Sequence, residues 1–83
     1  MIKVLVNGAK GNMGSQSIKV INETKDLTVV AQNDFGDDLR KTIQETKPDV
    51  VVDFTHPSCV MENTKIIIEE NCYGVIGTTG LSE

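Results

Sequence analysis

The run Gly8-Ala9-Lys10-Gly11-Asn12-Met13-Gly14 carries the clearest chemical signal in this sequence. Its G-x-x-G-x-x-G spacing follows a β-branched stretch and opens a helical pattern. Glycine permits a tight turn and lets a ligand approach the backbone closely. The helix that follows offers unpaired N–H groups and partial positive charge, a setting that suits a pyrophosphate. A Walker-type loop is disfavoured, because Gly14-Ser15 replaces the Gly-Lys-Ser/Thr ending. A plain glycine-rich βα turn shares this spacing. The order strand, turn, helix is what favours the phosphate reading.

A dinucleotide site also needs an acidic residue about 20 positions on, to accept hydrogen bonds from the adenosine ribose. Asp34 stands 20 residues after Gly14. Asn33, Asp37 and Asp38 compete for the role, and a solvated acidic loop would look similar. Phe35 follows where an Arg would hold a 2′-phosphate, which favours NADH over NADPH. Thr55, Thr78 and Thr79 fall after two further apolar runs, where hydroxyls and backbone groups reach a nicotinamide ribose or carboxamide; turn and capping duty is the rival reading. His56 is the single histidine, read as a loop residue lining the site rather than a proton donor. Cys59 is read as an inert helix residue and Met13 as packing under the glycine turn. No residue here is assigned a catalytic role and none a metal.

These residues need a frame. Ile2–Val6, Leu27–Gln32, Asp49–Phe54 and Val75-Ile76 read as strands. A helical face of Met13, Ser17, Val20 and Ile21 follows the turn. Asp37-Asp38 opens a short helix bearing Leu39, Ile43 and Thr46, stopped at Lys47-Pro48. Pro57-Ser58 opens a third, with Val60, Thr64, Ile67 and Ile68 inward and an end near Asn71 to Gly74. The alternation β-α-β-α-β-α-β predicts an α/β, Rossmann-like parallel sheet of about four strands with helical crossovers. In such a sheet the strand ends gather ligands.

Composition narrows the field. The chain has 83 residues, 39% hydrophobic and 24% charged, with 8 basic against 12 acidic side chains and a net charge of −4. No Lys/Arg cluster suits nucleic acid or an anionic membrane, and no apolar run approaches the ~20 residues a bilayer requires. A soluble cytoplasmic chain is expected. Cys59 and Cys72 are expected as reduced thiols. Gly80-Leu81-Ser82-Glu83 reads as a loop entering another helix, with Ser82 as its N-cap, so the chain is expected to be a fragment.

Taken in order, Gly8–Gly14, Val52-Asp53-Phe54-Thr55-His56-Pro57-Ser58 and Val75-Ile76-Gly77-Thr78-Thr79-Gly80 resemble the 4-hydroxy-tetrahydrodipicolinate (dihydrodipicolinate) reductases of lysine and diaminopimelate biosynthesis. The likeness spans essentially the whole chain. It implies an NAD(P)H-dependent oxidoreductase that reduces a cyclic dicarboxylate. By motif, Gly8, Ala9, Lys10, Gly11, Asn12 and Met13 would cradle the pyrophosphate, Asp34 would meet the adenosine ribose, and Gly77, Thr78 and Thr79 would flank the nicotinamide. Asn12 departs from the Arg common in the family. The family's substrate domain, with its His-His and Lys motif and Pro-Ser-Gly-Thr loop, is absent, and the family forms homotetramers through that region.

The expectation is therefore that residues 1–83 form the N-terminal part of a dinucleotide-binding domain, inactive alone and monomeric. Two rivals stand beside it: a non-catalytic nucleotide-sensing or interaction module, and the CoA-binding domain of a ligase.

Overall fold

The computed structural model describes residues 1–34, 37–55 and 57–77. Four strands, β1 (Ile2–Asn7), β2 (Leu27–Asn33), β3 (Val50–Asp53) and β4 (Tyr73–Ile76), alternate with three helices, α1 (Asn12–Glu23), α2 (Leu39–Thr46) and α3 (Pro57–Glu69). The strands pair in parallel in the order β2-β1-β3-β4.

This order divides the helices between the faces. The step from β1 to β2 runs one way across the sheet; those from β2 to β3 and from β3 to β4 run the other way. A right-handed crossover reverses face when its direction reverses. Accordingly Val4, Val6 and Ala9 pack with Ile21 of α1, whereas Leu5 and Val51 pack with Leu39, Ile43 and Ile67 of α2 and α3. The reversal point lies between β1 and β3, and the crevice beyond their carboxyl ends is where such sheets receive ligands.

Local chemistry sets the helix ends. Asp38 caps α2 by accepting the Lys41 N–H at 3.1 Å. Pro48 disfavours the right-handed helical region for the residue before it. Lys47 adopts φ 49° instead, and its N–H bonds to Ile43 O at 2.8 Å. Arg40 then ties α2 to α3 through Glu69 and Glu70, at 2.5 and 2.8 Å. Both cysteines are free thiols. Among the described residues no helix is long and apolar enough to cross a membrane, and no group of three metal-ligating side chains occurs.

Three local expectations need correction. Ile68 does not point inward; it is 67% exposed. The inner face of α3 centres on Asn63, Ile66 and Ile67, and a further 100° of helix turn carries Ile68 past its edge. Met13 does not pack under the glycine turn, being 48% exposed. The buried face of α1 runs through Gly14 and Ile21, and Met13 and Val20 instead flank an open apolar groove floored by Val52, Phe54 and Val75. Finally, Gly74 does not separate α3 from β4. It pairs with Val51 inside the strand, and an added Cβ there would lie 3.2 Å from Ile67 Cγ2, so the missing side chain makes room for α3.

Candidate functional site

The glycine turn sits where β1 leaves the sheet. Gly8 has φ 88°, and a Cβ on it would lie 2.9 Å from the Phe54 carbonyl carbon, so the turn lies directly against the end of β3. A Cβ on Gly14 would collide with the Gly8 carbonyl oxygen. These two glycines are required by conformation and packing. Gly11 is not. Its φ of −74° suits any residue, and a Cβ there would make only an ordinary 3.6 Å contact with Gly8 O. Gly11 is also the N-cap of α1 and has no side chain to serve as a cap, at a position where Ser, Asp or Asn would stabilise the helix more.

The amides of this turn divide into two sets. Gly8 and Ala9 both donate to Asn33 O, at 2.8 and 2.9 Å, and Gly11 donates to Gly8 O at 3.2 Å. Those three amides are already bonded within the protein. The first-turn amides of α1, at Asn12, Met13 and Gly14, have no backbone acceptor among the described residues, as the geometry of a helix start requires. Of the Gly8–Met13 run, the amides of Asn12 and Met13 are thus among those without a backbone acceptor, and those of Gly8, Ala9 and Gly11 are not.

Beside the turn, the strands end in a row of buried polar side chains. Asn7 pairs in register with Asn33 on one side and Asp53 on the other. All three are buried, at 4%, 5% and 0% exposure. Asn33 Oδ1 accepts from the Thr42 hydroxyl at 3.1 Å, while its Nδ2 is buried with no partner among the described residues. Asp53 binds Thr55 and Asn63. Above this row lies a cavity of about 270 Å³. Leu39, Cys59 and Ile66 give it an apolar side; Asn7, Thr55 and Asn63 give it a neutral polar one; Asp34, Asp37, Asp38 and Glu62 line the remainder with carboxylates. The loop holding Asp34 is closed by its own neighbours: Asp34 N–H donates to Asp37 Oδ2 at 2.8 Å and Asp37 N–H to Asp34 O at 3.0 Å.

Residues 2–83 match the family model described as dihydrodipicolinate reductase, N-terminus. The chain belongs to this family. Curated relatives named 4-hydroxy-tetrahydrodipicolinate reductase include one from Mycobacterium sp. (strain KMS), 42% identical over 82 residues, covering 99% of this chain and 33% of the relative. Another, from Coxiella burnetii (strain RSA 493 / Nine Mile phase I), is 47% identical over 81 residues, covering 98% of this chain and 34% of the relative. A solved structure, the dipicolinate-bound dihydrodipicolinate reductase from Paenisporosarcina sp. TG-14, superposes with a TM-score of 0.82 at 26% identity, covering 96% of this chain and 38% of that one. The chain thus spans about a third of the length of the curated relatives it matches.

Within this dihydrodipicolinate reductase frame, Asp34 and Thr55 are brought into one cavity, and Gly8 abuts the backbone that leads to Thr55. Gly77 does not line that cavity. Its N–H donates to Asp53 O at 2.9 Å, and a Cβ on it would collide with the Phe54 ring. Thr78 and Thr79 lie outside the described residues, as do His56, Gly80 and Ser82. Sequence reading passed over Asn7, Asp53 and Asn63 as site residues. A signal was present: each of β1, β2 and β3 is a largely apolar strand whose last residue is an amide or carboxylate, at Asn7, Asn33 and Asp53.

Proposed function

We propose that residues 1–83 are the N-terminal part of the dinucleotide-binding domain of a 4-hydroxy-tetrahydrodipicolinate reductase, and that the substrate half of the enzyme belongs to the remaining two thirds of the family's length. The observation that carries this reading is the first turn of α1, whose amides have no backbone acceptor among the described residues, following the end of β1, where Asn7 lines the cavity that also holds Asp34 and Thr55. The amides of Asn12, Met13 and Gly14 bind the pyrophosphate, with Lys10 and Gly11 leaving its approach open. Asp34 accepts from the adenosine ribose hydroxyls, and Gly77, Thr78 and Thr79 flank the nicotinamide. The bound cofactor supplies the hydride; this chain binds and orients it.

NADH is the preferred cofactor on this reading. A 2′-phosphate would enter a cavity already lined by Asp34, Asp37, Asp38 and Glu62, and like charges at such range repel. The full-length enzyme acts in the cytoplasm on a cyclic dicarboxylate. The 83-residue chain binds cofactor as a monomer without turnover, the substrate half of the enzyme belonging to the remaining two thirds of the family's length.

Titration of the chain with NADH, followed by cofactor fluorescence, tests the reading. Gly11→Val places a branched side chain over the α1 amides while packing against nothing essential. It should weaken NADH binding at least tenfold (about 1.4 kcal/mol) while the protein stays folded. Equal binding by wild type and Gly11→Val would overturn the assignment of the turn.

A further inference from the structure

The direction of the Thr55 hydroxyl proton is decided by its neighbours. Asp53 Oδ1 accepts from both Thr55 N–H, at 2.9 Å, and Thr55 O–H, at 2.6 Å. Asp53 Oδ2 accepts from Asn63 Nδ2 at 3.2 Å, and the same Nδ2 donates to Thr55 Oγ1 at 3.1 Å. A carboxylate only accepts, so Asn63 must turn its NH₂ group, not its carbonyl, toward Asp53. That NH₂ group then also donates to Thr55 Oγ1. A hydroxyl has one proton to give and two lone pairs. With Asn63 occupying one lone pair, the proton goes to Asp53, and one lone pair is left to face the cavity that Thr55 lines.

We infer that Asp53 and Asn63 are positioning residues that present the Thr55 hydroxyl to the ligand as a hydrogen-bond acceptor. The cavity then recognises an N–H or O–H at that point and offers nothing to a phosphate oxygen. Its four carboxylates, at Asp34, Asp37, Asp38 and Glu62, share this polarity. The ligand portion that fits is donor-bearing and unphosphorylated: on the cofactor reading, on which the ligand's identity rests, this is the adenosine end, through its amino group or a ribose hydroxyl.

Two measurements decide it. In the free protein, NMR should show a slowly exchanging Thr55 hydroxyl proton, because a proton held by a buried carboxylate is shielded from water; rapid exchange would overturn the inference whatever the ligand. In NADH titrations, Thr55→Ser should bind within about twofold of wild type and Thr55→Val about tenfold more weakly, the loss of one hydrogen bond. Asp53→Asn should weaken NADH in the wild-type background and cost nothing further in the Thr55→Val background, since Asp53 acts through Thr55. Deamino-NADH separates the two donors: Thr55→Val leaves its affinity unchanged if the amino group is the partner and lowers it about tenfold if the ribose is. Wild-type affinity in Thr55→Val, or an equal Asp53→Asn loss in both backgrounds, would sink the proposal. Absence of NADH binding in every protein, with the slow hydroxyl proton present, would remove the cofactor reading and leave the hydroxyl's polarity standing.

Discussion

The Gly8 carbonyl oxygen occupies the space that a side chain on Gly14 would need. The turn after β1 and the first turn of α1 are therefore in backbone contact, and that contact aims the α1 amides beyond the sheet edge. Gly14→Ala should destabilise the fold by about 2 kcal/mol or more, because the obstructing atom is backbone and cannot rotate away. Thermal and urea unfolding would measure this. A stability within about 0.5 kcal/mol of wild type, the range for unconstrained surface sites, would show that the contact does not constrain the turn.

Asp34 and the cavity's other carboxylates give a specificity prediction. Asp34→Ala should weaken NADH by about tenfold through the loss of ribose hydrogen bonds, yet weaken NADPH less, because removing a negative charge offsets part of the loss. The ratio of the two dissociation constants should therefore narrow. A ratio that widens would exclude Asp34 from the ribose.

Asp38 accepts the Lys41 N–H and begins α2, the helix that carries Leu39 into both the core and the cavity wall. Asp38→Ala should cost ~1 kcal/mol in urea unfolding, the usual loss of an N-cap. Asp38→Asn should recover most of it, since the amide oxygen still accepts.

Burial pushes the Cys72 thiol above its usual range, with Glu70 and Asp49 adding to the effect. Its Sγ also contacts Pro48 O at 3.4 Å. In a Cys59→Ser background, alkylation of Cys72 should require a higher pH than a free thiol. The linkage follows from the sign of the shift: stability associated with the neutral thiol is present below the unfolded thiol's range and is lost as pH rises through the higher folded value. A Cys72→Ala variant should flatten this alkaline decline.

At the acidic end, the Arg40 hydrogen bond holds the Glu69 carboxylate below its usual range. Its contribution is present above the unfolded carboxylate range and is lost as pH falls through the lower folded value. Both groups are at the surface, so the effect should be small and weaken with added salt. A Glu69→Gln variant should show a slightly shallower acid limb at low salt and the same limb at high salt.

Much of the architecture was legible along the chain, because alternation of β-branched runs with 3.6-residue periodicity is local information. Right-handed crossovers then leave few arrangements for parallel strands. The glycine turn and the position of Asp34 just past β2 were legible for the same reason: each is a spacing measured from one strand. The inner face of α3 was less so, since Ile66, Ile67 and Ile68 are equally apolar and only docking against Leu5 and Val51 selects Ile67.

By itself the sequence determined the order of elements, the glycines that allow the turn, the acidic residue one unit further on and the family to which the chain belongs. Tertiary structure decided which amides of the turn remain free, since Asn33 O reaches Gly8 and Ala9 from 24 or more positions away. It also decided that Asp53, hidden in an apolar-looking run, meets Asn63 and Thr55. The physical reason is common to both: a hydrogen bond is satisfied by whichever partner the packed strands and helices bring within 3 Å or so, and no local spacing records that meeting.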